Sequence, residues 1–243
     1  MIPHRRTLVT GAGRPLGVAL VRQALQRGDR VYAAARNPAR VPVLADLRAE
    51  YAGLELLALD PADPASVAAA LPVLEGLTDS LDLLVVAPAE PPAHGRVGDE
   101  ARDEVLATLT GTGVVEHYRR HAVAPVLLVR TLLPLLARGE AARVLLVSSW
   151  LGSLAGKSQG GDYATCASTA ALNMLGRALA HDVAEDGLVV ALGNPGHFST
   201  APDGPAFRHG ADDAAAGLLS MIDRLPRERS GSFLDWTGAE RPW

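Results

Sequence analysis

Two histidines, a serine at a strand end and a glycine-rich turn are where this sequence could do chemistry. Histidine gives or takes a proton near neutral pH without help from a cofactor. His121 stands in His121-Ala122-Val123-Ala124-Pro125, and His197 in Asn194-Pro195-Gly196-His197, after the last core strand. Each imidazole also has a plainer role, filling space or bonding a backbone carbonyl. Lys157 is the only lysine and Cys166 the only cysteine. One thiol can neither close an intramolecular disulfide nor assemble a thiolate metal site, so no metal is expected.

The turn Thr10-Gly11-Ala12-Gly13-Arg14-Pro15-Leu16-Gly17 follows the first apolar run and feeds a segment rich in Ala, Val and Leu. A glycine turn opening a helix offers backbone N–H groups and the positive end of the helix dipole to a pyrophosphate. Gly11, Gly13, Arg14, Leu16 and Gly17 are therefore candidate cofactor contacts. Glycine also serves tight turns that bind nothing, and the position after strand one is what strengthens this reading. The second run ends Ala33-Ala34-Ala35-Arg36, without the acidic residue that holds a ribose 2′-hydroxyl. Arg36 is placed to meet a 2′-phosphate, which favours NADP over NAD; the alternative is a solvated loop arginine.

These residues need a frame to bring them together. Apolar runs at 6–10, 30–35, 54–60, 81–87, 143–149, 188–192 and 232–236 alternate with helical patterns. Runs buried on both faces, separated by helices, indicate a parallel sheet with crossover connections. The predicted fold is α/β, a Rossmann-type doubly wound parallel sheet of about seven strands with helices on both faces. The longest helices are expected at 114–138 and 164–185, the first disturbed by Pro125 and Pro134. Ligands of such sheets bind outside the carboxyl ends of the strands.

With 243 residues, 48% of them hydrophobic, the chain is long enough for one sizeable core, and 1–243 is expected to form a single domain. A formal charge of −4 offers no basic field for nucleic acid or an anionic membrane. The first residues run into a strand rather than a long apolar stretch, so neither a signal peptide nor a membrane span is expected there, and the expected location is cytoplasmic.

The glycine turn, Val147-Ser148-Ser149-Trp150-Leu151-Gly152-Ser153-Leu154, Ala167-Ser168-Thr169-Ala170-Ala171-Leu172-Asn173 and Gly231-Ser232-Phe233-Leu234-Asp235-Trp236 together resemble the short-chain dehydrogenase/reductase family, in its carbonyl-reductase branch. The resemblance implies an NADP-binding site, a carbonyl-containing small-molecule substrate and a homodimer packed through the two long helices. Arg14 would share the phosphate role and Asp60 would sit near the adenine, although Asp60 can also serve the turn before the next helix. Ala87 falls in Val86-Ala87-Pro88-Ala89, where the family carries Asn-Asn-Ala-Gly, and Pro195 and Gly196 fall near the nicotinamide. Pro15 replaces the middle glycine of the family turn; it suits the first turn of a helix, but its ring adds bulk near the cofactor and binding is expected to weaken.

The family's catalytic positions depart further. Ser149 matches the active-site serine, with Ser148 beside it, while His121 stands at the helix asparagine of the proton relay. Thr165 and Thr169 stand at the tyrosine and lysine. That pair works because a phenol protonates the carbonyl oxygen as hydride arrives, and an ammonium one turn away lowers the phenol pKa. A threonine hydroxyl is too weak an acid for either role. Tyr163 has Ala167 as its partner one turn on, and Lys157 lies in the loop before this helix, so the tyrosine–lysine arrangement exists nowhere in the chain. The expectation is an enzyme on the reductase scaffold with a non-standard site, catalysing a non-hydride step such as cyclisation, dehydration or isomerisation, with His121 as acid or base. The alternatives are an NADP-dependent carbonyl oxidoreductase with rearranged chemistry, and a non-catalytic NADP-binding or partner-binding protein.

Overall fold

A computed structural model describes residues 5–88, 106–196 and 210–243. The strands are β1 (Arg6–Val9), β2 (Arg30–Ala35), β3 (Leu54–Ala58), β4 (Leu83–Val86), β5 (Arg143–Val147), β6 (Val189–Asn194) and β7 (Ser232–Asp235). They pair in parallel in the order β3-β2-β1-β4-β5-β6-β7, the doubly wound arrangement expected from the alternating pattern. Every apolar run predicted to be a strand forms one.

The helices are α1 (Pro15–Gln26), α2 (Pro42–Glu50), α3 (Pro64–Leu77), α4 (Gly111–Tyr118), α5 (Ala124–Ala137), α6 (Tyr163–Asp182) and α7 (Ala211–Arg224). Because side chains alternate across a strand, Val9, Val31 and Ala33 face α1, α2 and α7, while Leu8, Tyr32, Ala34 and Leu57 face the side of α3, α5 and α6. Both faces of the sheet are thus covered, as a parallel sheet requires.

The long helix expected at 114–138 is continuous in space but contains a π turn at Arg119–Val123 between α4 and α5. Pro125 is the physical reason. It has no N–H to give the His121 carbonyl, and its ring crowds that carbonyl, so an ordinary α turn cannot pass through. The chain widens instead, and the Ala124 amide reaches back to the Arg119 carbonyl. His121 lies inside this widened turn. The second long helix ends earlier than predicted, at Asp182, where the chain turns through Gly187 into β6.

Candidate functional site

Because the strands run parallel, their carboxyl ends share one edge of the sheet. That edge collects Thr10 and Gly11 after β1, Arg36 after β2, Asp60 after β3, Ala87 after β4, Ser148 and Ser149 after β5, and Pro195 and Gly196 after β6. Sequence-distant candidates are gathered there by topology alone.

The glycine turn is built for close approach. Gly11 has φ +64, and a Cβ on it would stand 2.8 Å from both the Ala87 and Pro88 carbonyl oxygens. A Cβ on Gly17 would stand 2.1 Å from the Gly11 oxygen, so α1 begins pressed against the turn. Thr10 Oγ1 donates to the Ala87 oxygen at 3.1 Å, fastening the turn to β4. Pro15 occupies the first turn of α1, whose N-terminus has no side-chain cap. Gly13, Arg14 and Pro15 are exposed at the rim, whereas Leu16 and Gly17 are buried; Leu16 is part of the core. An uncapped helix start behind a turn that admits only glycine at positions 11 and 17 suits a pyrophosphate. Arg36 is exposed beyond the end of β2. Asp60 takes up turn chemistry: its Oδ1 accepts from the Ala62 amide at 3.0 Å, and its own amide donates to Ser66 Oγ.

Toward β5 and β6 the edge is more crowded. Ser149 is buried, and its Oγ accepts from the Leu151 amide at 3.2 Å, capping a short turn at Trp150–Gly152. That turn lies directly on α6: a Cβ on Gly152 would stand 2.9 Å from the Thr169 carbonyl carbon. Ser148 Oγ donates to Asn173 Oδ1 at 2.6 Å, and Asn173 Nδ2 donates to the Gly152 oxygen at 3.3 Å. Of the two serines, Ser148 is thereby tied into the support behind the site. Asn194, also buried, accepts from the Trp150 amide at 3.0 Å and donates to Asp235. Spacing along the chain does not mark this supporting role of Ser148, Asn173 and Asn194; its signal is polar side chains at positions otherwise reserved for core.

Thr165 and Thr169 are both buried on the inner side of α6. Thr169 Oγ1 donates to the Thr165 carbonyl at 2.7 Å, the common inward bond of a helical threonine. Lys157 Nζ donates to the Gly161 oxygen at 2.9 Å and lies 3.1 Å from Cys166 Sγ. Tyr163 is the first residue of α6 and is exposed, and two residues of helix carry it to nearly the opposite side from Thr165.

The π turn and α4 pack on α6, which brings His121 to this same region. His121 is half-buried, with its ring centroid 5.2 Å from that of His117 at an interplanar angle of 39°. His117 Nδ1 is buried without a hydrogen-bond partner. The pair was missed from sequence, although the one-turn spacing of 117 and 121 is its signal. His197 lies outside the described residues. Among the described residues no group of three or more His, Cys, Asp or Glu side chains could hold a metal ion.

The family model described as short chain dehydrogenase matches residues 5–209. The C-signal protein of Myxococcus xanthus is 41% identical over 123 residues, 51% of this chain and 74% of that protein. The NADPH-bound carbonyl reductase from chicken fatty liver superposes with a TM-score of 0.84 at 29% identity, covering 99% of each chain. The carbonyl reductase Sniffer of D. melanogaster, at 22% identity and a TM-score of 0.86 over 99% of this chain and 100% of its own, shares the fold.

Proposed function

This chain belongs to the short-chain dehydrogenase family and its carbonyl-reductase branch, and from that premise we propose that it binds NADP and transforms a carbonyl-bearing small molecule by a non-hydride step: cyclisation, dehydration or isomerisation. His121 is the acid or base, and Ser149 orients the carbonyl. The observation that carries the reading is the inward bond of Thr169 to the Thr165 carbonyl, at the two positions where the resemblance implies lysine and tyrosine. A hydroxyl used inside its own helix, on a side chain of such low acidity, is no substitute for a phenol poised beside an ammonium.

NADP, when bound, would be able to accept hydride, chemistry that the proposed step leaves unused, and the tight Gly11–Gly17 turn at the uncapped start of α1 supports the proposal that its pyrophosphate sits there. Arg36 and Arg14 would meet the 2′-phosphate. Pro15 at the rim adds bulk, which is the reason to expect weaker binding than a glycine would allow. Ser149 accepts from the Leu151 amide, so its own O–H remains to donate to a substrate oxygen. His121, in a widened turn against α6, is held by backbone geometry, and proton transfer by a placed imidazole is worth roughly 10²- to 10⁴-fold in rate.

A second reading, NADPH-dependent carbonyl reduction with rearranged residues, is favoured by the NADPH-bound carbonyl reductase among the structural neighbours. One experiment separates the two. A panel of aldehydes and ketones is incubated with the protein and NADPH, and both NADPH absorbance and product mass are followed. A product equal in mass to its substrate, or lighter by water, with NADPH unconsumed supports the non-hydride step. Steady loss of NADPH supports reduction. Cofactor binding without turnover supports the non-catalytic alternative. If His121→Ala and Ser149→Ala both leave turnover unchanged, the roles given to them are wrong.

We also propose that the protein is a cytoplasmic homodimer. Exposed Val115 and Tyr118 on α4, Leu127 on α5 and Met174 on α6 support pairing through these helices. Size-exclusion chromatography with light scattering should show a dimer at micromolar concentration.

A further inference from the structure

Segment 153–161 joins the turn after Ser149 to the start of the helix that carries Thr165, so the way it is held bears on the first turn of that helix. Its internal ties are short-range. Ser153 Oγ accepts from the Gly156 amide at 2.9 Å, and Lys157 Nζ reaches the Gly161 oxygen at 2.9 Å. Neither fixes the segment against the sheet.

A longer tie does. The Ala155 amide donates to the backbone oxygen of Trp243 at 2.8 Å. Trp243 is held in turn by its ring. The indole lies 5.7 Å from Phe233 of β7 at 35°, and the Arg177 guanidinium of α6 lies 5.0 Å from the indole centroid. Trp243 therefore reaches β7, α6 and the segment before α6 at once. It remains 37% exposed, so the contacts hold it from one side while the other faces water.

We infer that Trp243 is a positioning residue: by docking its ring on Phe233 and Arg177 it holds segment 153–161 through Ala155, and so steadies the first turn of α6, which carries Thr165, while touching neither Thr165 nor Ser149. The backbone oxygen would survive loss of the indole, and the chain stays tied to β7 up to the Arg241 amide on the Phe233 oxygen, so the indole is what fixes the last two residues under the Ala155 amide. The inference rests on Ser149 and Thr165 as site positions, and its first readout does not depend on that reading.

The readout is amide hydrogen exchange on the full chain. In Trp243→Ala, exchange at Ala155 and across 153–161 should rise about tenfold, the scale of a lost ring contact and cation–π pair, while β5 and β6 stay protected. Trp243→Phe keeps an aromatic face for Arg177 and should restore protection to within about threefold. Arg177→Met, which leaves Trp243 in place, should loosen the segment by about threefold, and it serves if Trp243→Ala proves unstable. Unchanged exchange at 153–161 in Trp243→Ala would overturn the inference. So would equal acceleration throughout β7 and α6, which would make the indole a general support of the sheet edge. Where a carbonyl substrate is turned over, Trp243→Ala should lower kcat and leave NADP affinity unchanged. If exchange rises but kcat holds, the anchor stands and the reading of Ser149 and Thr165 as site positions is what fails.

Discussion

The two edges of the sheet use polar residues in opposite ways. At the amino edge, the side chain of Asp82 is only 7% exposed yet fully bonded. Its Oδ2 accepts from the Arg6 amide at 2.8 Å and Arg6 Nε at 2.9 Å, and its Oδ1 accepts from Arg6 Nη2 at 2.8 Å and the Glu140 amide at 2.7 Å. Nearby, Thr7 Oγ1 donates to Asp29 Oδ2 at 2.7 Å, and Arg143 Nη1 caps the Ile222 and Leu225 carbonyls at 2.7 Å each. Charges there are paired with partners that fix the register of strands and the end of α7. At the carboxyl edge the buried groups are hydroxyls and amides, beside a half-buried histidine pair in which one imidazole nitrogen of His117 is buried without a partner. Paired charges mark the edge that holds the fold together, although the buried Tyr32 hydroxyl has no hydrogen-bond partner. Uncharged polar groups in place of ion pairs line the edge where parallel sheets of this kind take their ligands.

That contrast can be broken first at Asp82. Asp82→Ala leaves the Arg6 guanidinium and two amides without their acceptor and should cost about 3 kcal/mol in urea unfolding, the lower end for breaking a buried pair because Arg6 is partly exposed. NADP affinity of the folded protein should stay within about twofold, since the glycine turn proposed to hold the cofactor lies at the other edge. A large loss of affinity without loss of stability would show that the edges are not independent.

The next test rebuilds chemistry at the carboxyl edge. Thr165→Tyr combined with Thr169→Lys should raise NADPH-dependent reduction of a simple aldehyde by about a hundredfold, the lower end for a placed acid. Absorbance of NADPH checks it. No gain from the double variant would mean that the backbone frame, not the two missing groups, limits hydride transfer.

A smaller effect is expected at the rim. Arg36→Glu should weaken NADP binding by about tenfold, the worth of one charge-assisted phosphate contact, and leave NAD binding nearly unchanged. Fluorescence titration with both cofactors measures it. Equal loss for both would assign Arg36 a structural role.

The mildest test is pH. Burial pushes the Asp82 carboxyl up, but the Arg6 side chain, the Arg6 and Glu140 amides and the Arg6 charge outweigh it and hold the carboxyl below its ordinary value. A carboxylate depressed in the folded state contributes stability that is fully present above its unfolded pKa and lost as pH falls through the folded one. The stability gap between wild type and Asp82→Asn should therefore be constant from neutral pH down to the ordinary carboxylate range and narrow below it. Urea midpoints across that range check the sign.

Much of this was legible without coordinates. Period and length located all seven strands, since a parallel sheet demands apolar runs with helices between them. The glycine turn declared itself by its place after β1, and the absence of a tyrosine–lysine pair followed from there being a single lysine. The type and spacing of side chains along the chain suffice for such statements, because they concern local periodicity or the presence of a functional group. What tertiary structure decided was where those groups are spent. Pro125 announced a disturbed helix, but only the fold turned it into a π turn containing His121. Ser149 was set apart from its neighbour by resemblance alone, and the structure gives Ser148 its own partner in Asn173, while the tie of the Trp243 oxygen to Ala155 has no counterpart in the order of residues. Those roles depend on contacts between residues far apart in the chain, and packing, not sequence spacing, sets such distances.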